Sequence, residues 1–426
     1  MEHATTIQLF CRQAWHDVAV FSVLEAERGY RSSGSLRYDV NYAAQHLHAT
    51  GHQALSVRYP IDLQYHRLPS WPAFLLDLLP AGAGRRALLN LHNLPDQEAR
   101  SDWLLLNMGA FAPPGNLRIR SAVHPTAAHA GFARDDIIRR KAEFLAYARQ
   151  QGAPVAGSTG AQGDAPKFLL TEDKKGRWHA DGALADAQAK QHYLVKFPRG
   201  NRAADRVILR HEAMYYAIAK HLGLTVGALP LWQDDVLFVP RFDRAVQGKV
   251  VQRHGLESLC SVAGVADFGQ AISLFTLCEA FLPFVDDPTQ AITEFLLRDI
   301  ANCAMGNTDN HARNTALIKW DNGGVTLSPL YDFAPMQLDP EGIVRTCRWV
   351  GHESGLPEWW QVIDTLKRTP HLPEIAWDRV CEKVSAVSAL LTTIPEQLHA
   401  LGADDQVIQM VKTHVAMCVQ QIRKGR

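Results

Sequence analysis

Residues 18–23 and 35–40 carry apolar, β-branched and aromatic positions in short blocks, with the turn-prone Ser32-Ser33-Gly34 ahead of the second, and predict two strands. Residues 72–110 follow a helical pattern that ends near Gly109 and the Pro113-Pro114-Gly115 punctuation. Basic and apolar positions over 135–151 predict another helix, and 152–163 is small-residue, linker-like chain. Strand patterning dominates 167–242, interrupted by a helix over 213–222. From about residue 256 the period is helical, with long stretches at 376–391 and 404–423. Within this half, 292–303 reads as an amphipathic helix and 315–318 as a short buried strand. A second strand, 325–327, follows the turn Asp321-Asn322-Gly323-Gly324. Strands ahead of helices predict an α+β fold of two lobes, with an extra N-terminal α+β piece.

Composition narrows the class. A chain of 426 residues with 47% hydrophobic content can bury a large core divided among two or three lobes. No apolar run reaches the roughly eighteen residues that span a bilayer, and the first residues lack the regions of a signal peptide, so no membrane association is expected. Seven cysteines, at 11, 260, 278, 303, 347, 381 and 418, form no CxxC pair or zinc spacing, which predicts a reduced, cytoplasmic setting. Lys+Arg and Asp+Glu balance at 44 each, which gives no global argument for nucleic-acid binding.

The polar loop between the 292–303 helix and the first short strand holds the candidate chemistry. It reads Asp309-Asn310-His311-Ala312-Arg313-Asn314, and Tyr331-Asp332-Phe333 follows the hairpin. Taken alone, Asn307-Thr308-Asp309-Asn310 also fits an ordinary polar turn. A helix, a polar loop, a hairpin and then an Asp is, however, the order in which a kinase presents its catalytic and metal-binding loops. Phosphoryl transfer needs one carboxylate to orient the accepting hydroxyl, while an amide oxygen and a second carboxylate hold Mg²⁺ against the phosphates. Asp309 fits the first role, Asn314 and Asp332 the second. His311 either orients the loop or contacts nucleotide, and no second histidine makes a HExxH-type zinc pair with it.

Two upstream segments leave alternatives open. The run Gly157-Ser158-Thr159-Gly160-Ala161-Gln162-Gly163 is a flexible linker by composition, yet it precedes the strand-like Lys167-Phe168-Leu169-Leu170, where backbone N–H groups could close over phosphate. Lys196, within Tyr193-Leu194-Val195-Lys196-Phe197, is either a solvent-facing lysine on an edge strand or a phosphate contact that pairs with Glu212. Glu212 in turn suits either that pairing or the N-terminus of a helix.

In their order these segments resemble the HipA family, the bacterial serine/threonine kinases of toxin–antitoxin modules. The similar segments are Gly306 to Asn314, Leu327 to Asp332, Gly160-Ala161-Gln162 with Lys167, His192 to Pro198, His211-Glu212 and Arg241-Phe242-Asp243-Arg244. Residues 74–80 and 102–115 are similar to the family's small N-terminal subdomain, so the resemblance spans most of 15–420. It implies a two-lobed, protein-kinase-like fold with an N-terminal α+β subdomain at 1–120, an N-lobe with the phosphate loop at 121–245 and a helical C-lobe at 246–426. It implies ATP and Mg²⁺ as cofactors, Asp309 as the catalytic residue, and Asn314 and Asp332 as metal ligands. Nucleotide would be held by Ser158, Thr159, Gly160, Ala161, Gln162, Lys167, Lys196, Glu212, Arg241, Phe242, His311 and Tyr331, with the adenine near Arg241 and Phe242. The family also implies a protein substrate in translation, such as an aminoacyl-tRNA synthetase, and a helix-turn-helix antitoxin through which DNA is met only indirectly. Family members can silence themselves by phosphorylating a serine of the phosphate loop; here Ser158 and Thr159 offer hydroxyls at shifted positions. The chain departs from the pattern at Pro240, where an acidic residue is usual, and in an insertion at 163–166.

Two other classes use the same residues differently. A small-molecule phosphotransferase would share the metal loop, and a DNA-acting or DNA-bound regulator would rely on Arg345, Arg348 and the basic 423–426 tail.

Overall fold

The computed structural model describes residues 3–80, 82–96, 98–123, 129–150, 166–267 and 269–424. The chain divides into two compact units. One comprises Met1–Arg199, Phe238–Gln270 and Leu317–Val325, the other Gly200–Leu237, Ala271–Ala316 and Thr326–Arg426.

In the first unit, strands β1 (His3–Cys11), β2 (Ala14–Val23), β3 (Gly34–Tyr38), β4 (His66–Leu68) and β5 (Leu117–Ile119) form an antiparallel sheet in the order β4-β3-β2-β1-β5. Arg12 and Gln13 make the β1–β2 turn with φ of 49° and 63°, the left-handed pair that a two-residue hairpin requires. Ile7, Leu9, Phe21 and Leu36 from this sheet join Trp71, Phe74, Leu75 and Leu105 in one core. The strand expected over 35–40 stops at Tyr38 because Asp39 caps a helix, Val40–His46, by accepting the N–H groups of Asn41 and Tyr42 at 2.9 and 3.0 Å. The helical stretch expected over 72–110 is three helices, Phe74–Leu78, Gly82–Leu91 and Asp102–Gly109. The 135–151 helix is likewise two, Arg134–Ile138 and Ala142–Gln150, separated where Arg140 turns to φ 48°.

A second sheet runs β7-β6-β8-β10, from β6 (Lys167–Asp173), β7 (Trp178–Ala180), β8 (Ala189–Lys196) and β10 (Val236–Pro240), and β9 (Leu231–Gln233) pairs with β10. β8 is therefore an interior strand, and Lys196 does not sit on an edge. A hairpin of β11 (Arg244–Gln247) and β12 (Val250–Arg253) follows, then a three-stranded sheet in the order β13-β14-β15, from β13 (Gly255–Ser258), β14 (Ala316–Lys319) and β15 (Val325–Leu327). Lys319 is almost fully buried; its Nζ donates to Glu257 and to the carbonyls of Ala54 and Leu55 at 3.2–3.3 Å, which ties the N-terminal region to β13 and β14.

The second unit is mostly helical. Helix Ala203–His221 begins ten residues before the expected 213. Asp205 in its first turn suits the helix dipole, and its polar-looking first half hides a buried Leu209 and Glu212. Helix Pro288–Met305 opens with Pro at its first position, with Asp287 accepting the Gln290 N–H at 2.9 Å, and ends at Gly306 in the left-handed conformation. It packs against Trp377–Leu391 and Asp405–Lys424, which explains why so many of its side chains are buried. Among the described residues no helix is long and apolar enough to cross a membrane.

Candidate active site

The end of helix Pro288–Met305 sets the position of the polar loop. Gly306 leaves the helix at φ 65°, and Asn307 is tied back to Asn302 by its N–H (2.9 Å to the carbonyl) and its side-chain amide (2.8 Å). Tyr215 donates its hydroxyl to the Met305 carbonyl at 2.7 Å. A Cβ on Gly306 would meet only the flexible ends of Met410 and Gln337, so Gly306→Ala carries mainly the backbone penalty. The expected loss is about 1–2 kcal/mol, read from the denaturant midpoint; an unchanged midpoint would contradict the cap assignment.

Beyond the cap the loop is held by its own side chains. Asn314 is buried; its Nδ2 donates to the Asp309 carbonyl at 2.7 Å and its N–H to the His311 carbonyl at 2.9 Å. Its Oδ1 is left buried with no hydrogen-bond partner. His311 lies with Nε2 3.5 Å from Asp309 Oδ1, and its Nδ1 accepts the Arg313 N–H at 3.3 Å. Tyr331 donates its hydroxyl to the Arg313 carbonyl at 2.7 Å, which joins the second motif to the first. Asp332 follows at φ 51°, a conformation an L-residue adopts at a cost and one that clusters at functional sites. Its neighbours fix that turn: Leu330 donates its N–H to the Thr225 carbonyl at 2.8 Å, and Phe333 is fully buried against Tyr215. Asp309, His311, Asn314, Tyr331 and Asp332 line one cleft, floored by Leu274, Leu277 and Phe295.

The donor set fits Mg²⁺. The cleft offers hard oxygens in the carboxylates of Asp309 and Asp332 and the orphaned amide oxygen of Asn314, beside a third carboxylate, Asp299, already bonded to two indoles and Arg345, and a buried acceptor without a partner is costly unless something meets it. Among the described residues no cluster of three or more His, Cys, Asp or Glu forms, so the cleft is not a closed carboxylate cage. Magnesium commonly takes one or two carboxylates and completes its shell with water and substrate phosphate.

The remaining expected residues fall as follows. Ser158, Thr159, Gly160, Ala161 and Gln162 lie outside the described residues. Lys167 sits directly opposite Lys196 across β6 and β8, so the two ammonium groups share one face of the sheet, and Lys196 is buried. Glu212 is buried midway along helix Ala203–His221, which rules out the helix-terminus role. The Arg241 N–H belongs to the sheet, donating to the His192 carbonyl at 2.9 Å, and its guanidinium is bonded to Asp181 and Asp243; Phe242 follows it in the turn.

Sequence reasoning missed Asp299. It is buried on helix Pro288–Met305, accepts the indole N–H of Trp349 at 2.9 Å and of Trp359 at 3.0 Å, and pairs with Arg345. Arg345 is therefore already paired with a buried carboxylate. The available signal was an Arg298-Asp299 pair inside an otherwise apolar helical pattern.

No curated protein matches the chain. Among solved structures, the HipA toxin of Shewanella oneidensis MR-1, in complex with HipB and operator DNA, superposes with a TM-score of 0.66 at 14% identity, covering 98% of this chain and 97% of that one. The likeness is one of fold, and it agrees with the α+β, HipA-like architecture expected from the sequence. The Helicobacter pylori proinflammatory kinase CtkA gives a TM-score of 0.39 at 12% identity over 63% of this chain and 93% of that one, too loose to carry an argument. The sequence model of the HipA-like C-terminal domain matches residues 159–389, more than half of the chain, and by that match the chain belongs to the HipA family.

Proposed function

We propose that the chain is an ATP- and Mg²⁺-dependent serine/threonine protein kinase of the HipA toxin type. The observation that carries this reading is the loop in which Asn314 is fastened to the Asp309 carbonyl while its own Oδ1 stays buried and unpartnered, on the same cleft as Asp332. Asn314 and Asp332 would hold Mg²⁺, which when bound neutralises charge on the transferring phosphoryl group. Asp309 orients the target hydroxyl and accepts its proton as the hydroxyl oxygen bonds to the γ-phosphorus and the bond to ADP breaks. His311, within reach of the Asp309 carboxylate, sets its rotamer. By the family resemblance, Lys167 and Lys196, which share one sheet face, would contact the nucleotide phosphates, and Arg241 and Phe242 the adenine.

The proposed target is a protein of the translation apparatus, such as an aminoacyl-tRNA synthetase. The proposed partner is a helix-turn-helix antitoxin, in the manner of the HipB-bound Shewanella structure, with DNA contacted through that partner. All seven cysteines are free thiols, which suits the cytoplasm.

The test is incubation of the purified chain with Mg²⁺ and γ-labelled ATP, alone and with a cytosolic extract, a sugar and aminoglycoside panel, and EDTA controls. A discrete labelled protein is expected, dependent on Mg²⁺ and reduced about a hundredfold or more in Asp332→Asn. Label on a small molecule instead would make the chain a small-molecule phosphotransferase, and bound ATP with no transfer would end the kinase reading.

A further inference from the structure

The segment that follows Asp332 carries a cationic cavity apart from the cleft. Arg345, Arg348, Trp349, His352 and Glu353 line it, with about 410 Å³ of space counting its open mouth. Its two arginines are in different electrostatic states. Arg345 is neutralised by buried Asp299, also donates to Cys303 Sγ at 2.7 Å, and keeps a buried Nε with no hydrogen-bond partner. Arg348 donates only to backbone carbonyls, those of Arg345 at 3.0 Å and Glu353, and meets no carboxylate within 4 Å among the described residues. Glu353, the acid on the rim, gives its carboxylate to the Gly351 N–H at 2.9 Å. His352 Nδ1 accepts the Glu358 N–H at 3.4 Å, which leaves the neutral ring's proton on Nε2 as a donor. The cavity thus presents a guanidinium that no carboxylate bonds directly, although the Glu353 carboxylate on the rim feels its charge, together with an imidazole N–H.

Its place is fixed relative to the catalytic loop. Asn310, next to Asp309, donates its side-chain amide to the Cys347 carbonyl at 3.2 Å, and the Arg348 carbonyl accepts the N–H of Leu274, a cleft residue, at 3.0 Å. An extended peptide advances about 3.3 Å per residue, so a chain with its hydroxyl at Asp309 reaches this cavity within a few residues. Resting on the kinase reading, we propose that the cavity is a subsite for an anionic side chain of the protein substrate, a carboxylate or a phosphoryl group, lying a few residues from the accepting hydroxyl. Arg348 is its specificity-determining residue, and Asp299 is a positioning residue that holds Arg345 and Trp349 behind it.

The test is fluorescence anisotropy on the full chain without ATP. The probes are three short labelled peptides with a central serine flanked by glutamates, by phosphoserines or by lysines. Wild type is expected to favour the anionic peptides, and the stronger of the two names the group the site takes. Arg348→Glu should weaken both about tenfold and favour the lysine peptide, whereas Arg348→Lys, which keeps the charge, should keep the preference. Equal binding of the three peptides, or a preference unchanged in Arg348→Glu, overturns the proposal. Arg348-dependent binding of duplex DNA with indifference to the peptides overturns it too. Label transfer from ATP is scored separately: Arg348-dependent peptide binding without transfer would sink the kinase reading and leave the anion subsite standing.

Discussion

Asp309→Asn is expected to lower the rate of phosphoryl transfer by about 10³-fold, within the range a positioned general base contributes, while ATP binds as before. The separation follows from how the loop is built. Asp309 holds Asn314 through its backbone carbonyl and is itself tied by its N–H to Asn307 Oδ1 at 3.4 Å, so neither link uses the carboxylate. The isosteric change therefore keeps both links to the Asn314 loop and removes the carboxylate proposed to orient the hydroxyl and take its proton. Asn314→Ala should do the reverse: with the buried amide oxygen gone, the requirement for Mg²⁺ should rise steeply before the saturated rate falls. Steady-state transfer over a Mg²⁺ series, with nucleotide binding followed by calorimetry, separates the two. A wild-type rate in Asp309→Asn would remove the catalytic assignment, and equal losses of ATP affinity in both variants would reduce the loop to a structural element.

The same loop shows why some of the protein was legible and some was not. Asp309, Asn314 and Asp332 stand out because polar residues interrupt strongly patterned neighbours, and the flanking helix and hairpin form close to where the pattern places them: Pro288–Met305 for 292–303, Ala316–Lys319 for 315–318, and Val325–Leu327 as expected. Helices Trp377–Leu391 and Asp405–Lys424 are similarly plain, since long amphipathic periods leave little choice. What escaped depends on contacts remote in sequence. The early start of Ala203–His221 is concealed by polar residues that become buried, and the break at Arg140 reflects one residue in a left-handed conformation. Asp299 receives its meaning from Arg345, Trp349 and Trp359, some fifty residues away, which no local pattern reveals. Arg345 and Arg348 look alike in the sequence, yet one is paired with a buried carboxylate and the other donates to backbone carbonyls.

The largest stability effect is expected at Asp243, in the segment after Pro240 that the sequence assigns to the nucleotide hinge. Asp243 is buried and accepts four donors: Arg241 Nε at 2.9 Å, Arg241 Nη2 at 2.6 Å, Arg244 Nη1 at 2.8 Å and the Gly115 N–H at 2.7 Å. Arg241 also reaches Asp181, which His192 Nδ1 meets at 2.8 Å, so the charges compensate as a group. Asp243→Asn keeps the shape but removes the charge and turns an amide NH₂ toward guanidinium donors, leaving two buried guanidiniums to share Asp181. Breaking a buried pair in this way costs about 3–5 kcal/mol, far more than a surface bridge. Replacing Arg244 by Met in the same chain removes one surplus cation and should recover part of the loss, a coupling that two independent surface charges would not show. The pH dependence carries its own sign. Burial alone would raise the Asp243 carboxyl, but Arg241 and Arg244 outweigh it and hold the group well below the usual carboxylate range. Its contribution is therefore fully present above the unfolded value of about 3.9 and is lost as the pH falls toward the folded one. Denaturant titrations should show a constant gap between wild type and Asp243→Asn from pH 5 to pH 8, narrowing only below about pH 4. A gap under about 1 kcal/mol at neutral pH would mean that the network is solvated rather than buried, and that Gly115 is held to β11 by something other than this carboxylate.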